Sequence, residues 1–217
     1  MDKTTYTKIY NDFNQYKSDL FYKLGIDFRP GKSILDVGAG DCTDTKIFRD
    51  VFGLEVLATD IYKSQNVDDW GIPFKLLSVY EIGKLEKKFD YVFLHDILHH
   101  VDEDHQSRDN HVKALAALKQ VVKPKGAIVL VEGNRYNPLF LPHMVIMRGH
   151  EHFKQEYFKT LVKSVFPAAK FYSFEAHYYP YSRLSLWFFK IYERLMESIA
   201  PAAFLSYNVA VINNNEE

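Results

Sequence analysis

Two short segments hold most of the side chains able to do chemistry. FLHDILHHV carries His95, Asp96, His99 and His100. An imidazole with an ordinary pKa of about 6.5 suits proton transfer near neutrality, and a carboxylate beside it can hold or orient it. An alcohol or phenol acceptor needs its proton removed, and His95 and His99 are the better bases for that. His100 is a third catalytic candidate that serves equally as a buried residue anchoring the loop through backbone hydrogen bonds. If the chain turns helical at Ile97, His95 with His99 and Asp96 with His100 form i,i+4 pairs. Asp96, His99 and His100 are also oxygen and nitrogen ligands for a divalent metal. Ligands so close in sequence need not converge, so base plus scaffold is the reading taken, with no metal. The second segment, ILDVGAGDC, sets Asp36, Gly38 and Gly40 after an apolar run, where glycine lets backbone close around a ligand.

The elements that must position these groups follow from periodicity. SILDVGA, EVLATD, FKLLSV, FDYVFLHD and GAIVLVEG read as buried strands, and amphipathic stretches separate them, which gives an α/β class with a mostly parallel sheet. In RDNHVKALAALKQVV, Val112, Leu115, Leu118 and Val122 share one helical face, and Pro124 and Gly126 close the segment. The glycine turn therefore lies at the carboxyl end of the first strand and ahead of a helix, the place where open α/β sheets bind ligands. A dinucleotide site needs a third glycine, and Thr43 stands there. Asp36 suits a cationic ligand better than a diphosphate. Asp60 ends the second strand, where a carboxylate can accept both hydroxyl protons of a ribose. These features describe a nucleoside without pyrophosphate.

With these motifs in this order, the sequence resembles the class I S-adenosylmethionine-dependent methyltransferases of the small-molecule type. ILDVGAG resembles their first motif, Asp60 their ribose carboxylate, FDYVFLHDILHHV the strand-four region, and LKQVVKPKGAIVLVE the helix and strand that follow. The resemblance runs from Gly31 to Gly133. It implies S-adenosylmethionine as cofactor, with contacts from Asp36, Gly38, Ala39, Gly40, Asp60, Ile61, Val79, Tyr80 and His95. It also implies a Rossmann-like sheet of seven strands, mostly parallel with the last antiparallel, and helices on both faces. KFYSFEAHYY and LSYNVAVI then take the places of strands six and seven. Cys42 stands at the family's third small position, and Ser78 replaces an acidic residue often found after strand three.

Past Gly133 the loop EGNRYNPLFLPHMVIMRGHEHF holds Asn134, Arg135 and Tyr136 as candidate acceptor-binding residues, with Arg135 able to fork onto a carboxylate or phosphate. Turn chemistry accounts for the same residues equally well. A helix is expected from Glu151 to Val165. The first helix stacks Tyr6, Ile9, Tyr10, Phe13, Tyr16 and Leu20 on one face. SRLSLWFFKIYERLMESIA carries a polar stripe of Lys190, Glu193, Arg194 and Glu197. Core packing, a lid over an apolar acceptor and a contact within a homodimer all remain open for that segment.

The 217 residues form one domain on this reading: an N-terminal helical cap (1–30), a cofactor core (31–133) and substrate-side elements with the last strands (134–217). A net charge of -1 offers no footprint for nucleic acid. The single cysteine, the lack of a signal-like apolar run at the N-terminus and the absence of any membrane-length apolar stretch point to the cytoplasm. The expected function is methyl transfer to a small apolar or aromatic acceptor, at oxygen. A non-catalytic cofactor-binding or partner-binding module on the same fold is the alternative.

Overall fold

The computed structural model describes residues 20–103, 105–147, 149, 151–177 and 183–214. The aromatic stripe from Tyr6 to Tyr16, and Arg148, His150 and Tyr178, lie outside the described residues. Seven strands form one sheet: β1 (Ser33–Val37), β2 (Glu55–Asp60), β3 (Phe74–Leu76), β4 (Phe89–His95), β5 (Val122–Gly133), β6 (Lys170–Phe174) and β7 (Tyr207–Asn213). Their order is β3-β2-β1-β4-β5-β7-β6. The first five pair in parallel, and β7 enters antiparallel between β5 and β6. Five α-helices are described: α1 (Thr43–Asp50), α2 (Gln65–Asp69), α3 (Arg108–Val121), α4 (Gln155–Val165) and α5 (Arg183–Ile199).

The near-continuous apolar character of the central strands has a direct cause: both faces of the sheet are covered. Side chains alternate along a strand, so Leu35, Val92, Leu94, Ile128 and Leu130 enter the core shared with α3 and α4. Ile34, Phe93, Val129 and Val131 enter the opposite core, where Phe48 packs edge-on against Phe93, Phe21 and Phe28. The switch of order between β1 and β4 opens the crevice at the carboxyl ends of these strands.

The opposite, amino-terminal ends are tied by Asp90. Its Oδ2 accepts from Ser33 N at 2.9 Å, Ser33 Oγ at 2.7 Å and Lys123 Nζ at 2.7 Å, joining the starts of β1, β4 and β5. Partial burial opposes the charge, but the hydrogen bonds from Lys123 and Ser33 outweigh it and hold the carboxyl well below the usual range. The contribution is therefore present above the unfolded-state pKa of about 3.9 and lost as pH falls below it. Urea unfolding should show the stability gap between wild type and Asp90→Asn shrinking on acidification through that range. A gap independent of pH would contradict this role.

Three local departures from the sequence reading have physical reasons. FKLLSV is strand only as far as Leu76, because Ser78 caps a 3-10 turn (Val79–Leu85), its side chain accepting from Tyr80 N. The expected helix from Glu151 begins at Gln155, since Phe153 is drawn into a bridge with Asn134 and Arg135 N donates to Phe153 O. In α5 the stripe read as polar turns partly inward. Glu193 is buried, accepting from Lys23 and from His177 N, while Glu197 accepts from Lys23 and Glu175 N. Leu184, Trp187, Phe188, Ile191, Leu195 and Ile199 consequently stay exposed, so this face is not core. Among the described residues no helix is long and apolar enough to cross a membrane.

Candidate active site

The turn from β1 to α1 runs through two glycines with positive φ, 70° at Gly38 and 54° at Gly40. Gly38 is required twice over. A left-handed backbone disfavours any other residue, and a Cβ here would stand 2.5 Å from Ile97 Cδ1. Gly38→Ala should therefore cost about 1 to 2 kcal/mol of stability from backbone strain alone and displace Ile97, with cofactor affinity falling in parallel. Unchanged affinity in calorimetry would mean that the turn does not touch the ligand.

Asp60 closes this turn from β2. Its Oδ2 accepts from Gly40 N at 2.8 Å, and its Oδ1 from Ile61 N at 2.6 Å and Tyr62 N at 3.3 Å. The carboxylate shapes the glycine turn and still keeps acceptor capacity, because its two oxygens offer about four sites. Ile61 and Tyr80 are exposed, and Val79 is buried. Asp36 is buried and accepts from Thr45 Oγ1 at 2.5 Å.

A cavity of about 200 Å3 lies above the turn, lined by Asp36, Gly38, Ala39, Gly40, His95 and Ile97 with the carboxylates Asp41, Asp44 and Asp96. Four carboxylates around one small space favour a cationic guest. A sulfonium and ammonium fit this wall and a diphosphate does not. Cys42 adds no reactivity: it is buried, and burial followed by the Asp36 charge pushes its thiol up to about 12.

The three histidines of the sequence motif take different surroundings. His95 ends β4 and lines the cavity, with Nδ1 at 2.8 Å from Asp44 Oδ2 and Nε2 at 3.6 Å from Asp96 Oδ2. Beyond it the chain forms a 3-10 turn (Leu98–His100) rather than an α-helix, so the expected i,i+4 pairing of His95 with His99 does not form. His99 is buried, its Nδ1 at 2.7 Å from Glu132 Oε2, while Glu132 Oε1 accepts from Ile97 N and Leu98 N. Desolvation works against the His99 imidazolium, but the Glu132 charge and hydrogen bond outweigh it and raise its proton affinity. The loop-anchoring residue is thus His99. His100 points outward instead, exposed and 3.3 Å from Glu103.

A larger cavity of about 650 Å3, lined by Arg135, Tyr136, Glu151, His152, Phe153 and Tyr157 among others, lies beside it, since ligand-capable atoms of Asp96 in the first and His152 in the second are within 4.8 Å of each other. Arg135 pairs with Glu151. The Asn134 amide donates to Ala203 O and Leu205 O, so it is committed to clipping the loop onto the chain before β7. His111 stands behind Tyr157, its Nδ1 2.8 Å from the hydroxyl and its Nε2 2.9 Å from Val101 O, and burial lowers its proton affinity. Asp44, Glu132 and His152 were not assigned from sequence. Only the position of Glu132 at a strand end and the polarity of its loop signalled any of them.

The Methyltransferase domain family matches residues 35–130. No match is found among curated proteins. Among solved structures, an Archaeoglobus fulgidus SAM-dependent methyltransferase superposes with a TM-score of 0.65 at 16% identity, over 92% of this chain and 93% of that one. Phosphoethanolamine N-methyltransferase 2 of Haemonchus contortus, in complex with S-adenosyl-L-methionine, gives 0.56 at 16% identity, over 94% of this chain and 53% of that one. An O-methyltransferase family protein from Burkholderia thailandensis gives 0.55 at 15% identity, over 85% and 51%. The chain thus spans about half the length of the last two. At these identities the likeness is one of fold. The family match runs across β1 to β5, and the fold is that of the class I S-adenosylmethionine-dependent methyltransferases.

Proposed function

We propose that the chain is one cytoplasmic domain that transfers a methyl group to an oxygen of a small, apolar or aromatic acceptor. Residues 31–133 would bind cofactor through Asp36, Gly38, Ala39, Gly40, Asp60, Ile61, Val79, Tyr80 and His95. Residues 134–217 supply the acceptor side. The observation that carries this reading is the adjacency of two unlike cavities: a small acidic one over the glycine turn and a larger one edged by aromatic rings and Arg135.

S-adenosylmethionine, when bound, supplies a methyl group activated by a sulfonium. Transfer by in-line displacement depends on positioning, which can supply about 7 to 11 kcal/mol. His95 is the base in this reading, ahead of His99, because it lines the cofactor cavity while His99 is buried behind it. Asp44 fixes the His95 ring through Nδ1, and Nε2, which faces Asp96, would take the acceptor's proton. His99 is a positioning residue that, with Glu132, fixes the loop after β4. Tyr136 and Arg135 would orient the acceptor, an anionic substituent competing with Glu151 for the guanidinium. Incubating the protein and a small-molecule extract with methyl-tritiated cofactor tests the reading. Label is expected in the low-mass fraction, and label only in nucleic acid or protein would refute the acceptor class.

A further inference from the structure

Asp96 and His99, from the turn after β4, come together with His152, from the segment before α4, between the two cavities. Asp96 immediately follows β4 and lines the smaller cavity, His99 lies in the 3-10 turn, and His152, just before α4, lines the larger one. One ligand-capable atom from each lies within 4.8 Å of the other two. We propose that these three residues form a binding site for a single divalent transition-metal cation such as zinc, with coordination positions left open toward the larger cavity.

The donor set points to this class of ion. Two imidazoles and one carboxylate suit zinc and its neighbours, whereas calcium and magnesium take oxygen ligands. Three protein ligands are the number that leaves a fourth position for water or substrate. The surroundings are built as outer partners of such a site. Glu132 sits on His99 Nδ1 at 2.7 Å, which directs Nε2 toward the cation. Gly133 N donates to Asp96 Oδ1 at 2.7 Å, which holds the carboxylate in place. Asp96 itself is held at φ 53°, in the left-handed region that non-glycine residues seldom occupy. Gly133 is needed for the approach, because a Cβ there would lie 2.7 Å from His152 Nδ1 and 3.3 Å from Asp96 Oδ1. The His152 ring stands 4.6 Å from that of His99 and stacks on Phe140 at 5.8 Å, which fixes its plane. The Asp96 and Glu132 carboxylates together balance a charge of about +2. With bonds of about 2.0 to 2.1 Å the ligand atoms must close to about 3.4 Å, a movement the non-helical segment carrying His152 can supply. His100, the third ligand suggested by sequence spacing, faces outward and is replaced here by His152.

Binding itself is independent of the acceptor. The cation's use, taking an oxygen or nitrogen of the acceptor, rests on the function proposed above. Chelator-stripped protein should be titrated with zinc by calorimetry and with cobalt by visible absorption, in the absence of cofactor. One equivalent is expected, with the visible bands of nitrogen-ligated four-coordinate cobalt. His152→Ala and Asp96→Asn should each weaken zinc by more than the about 10- to 100-fold that loss of an outer partner costs, while His100→Ala should not. Cooperative thermal unfolding and a wild-type far-ultraviolet circular dichroism spectrum show that each variant is folded. No stoichiometric binding by wild type, or equal affinity in folded His152→Ala, overturns the site. Zinc bound by wild type without methyl transfer to any small molecule supports the site and removes only the acceptor reading.

Discussion

Replacing His95 by glutamine is expected to lower turnover by about 10²- to 10⁴-fold, the range for loss of a positioned general base. Cofactor affinity should fall much less than turnover, because glutamine keeps a polar contact at this position and the glycine turn and Asp60 hold the cofactor from other elements. The reasoning starts from β4, whose last residue is delivered to the cavity by the parallel pairing of Leu94 and His95 with Leu130 and Val131 of β5. Asp44 in the first turn of α1 then orients the ring. Glutamine keeps the polarity and roughly the volume but cannot take a proton at neutral pH. Single-turnover kinetics with a saturating acceptor separate the chemical step from binding. A rate equal to wild type would leave positioning alone as the source of catalysis and remove His95 from the mechanism.

Asp60→Ala should weaken S-adenosylhomocysteine binding by about 1.5 to 3 kcal/mol, a factor of about 10 to 150. Two losses combine. The ribose hydroxyls lose a charged acceptor, and the amides of Gly40, Ile61 and Tyr62 lose the carboxylate that holds the turn in shape. Thermal unfolding without ligand isolates the second loss, since only it acts on the free protein. Calorimetry that finds the same affinity in wild type and variant would detach Asp60 from the cofactor.

The central parallel strands were legible because they are buried on both faces and so read as apolar runs, and β1 and β2 because a glycine turn followed by a carboxylate-ended strand marks them. The ends of elements were less so. A single hydroxyl, that of Ser78, turns the chain out of β3, and a backbone bridge to Asn134 delays α4 until Gln155. The candidate site was legible as a set of residue types but not as pairs. Which histidine is buried depends on Glu132, 33 residues further along the chain than His99, and His95 depends on Asp44, 51 residues before it. His152 reaches the site only because Gly133 has no side chain. Periodicity carries no trace of contacts made across loops. The face of helix α5 stayed open in the sequence for a related reason: Lys23 and the backbone amides of Glu175 and His177 draw its glutamates inward, so its apolar stripe faces out.

The central claim is that the acidic cavity over the glycine turn holds the reactive end of the cofactor beside His95. A crystal structure of the complex with S-adenosylhomocysteine tests it most directly. The account predicts the ribose hydroxyls on Asp60, the amino-acid end within the cavity bounded by Asp36, Gly38 and Gly40, and the sulfur facing His95 and Asp96. A ligand seated in the larger cavity near Arg135, or with its ribose away from Asp60, would contradict it.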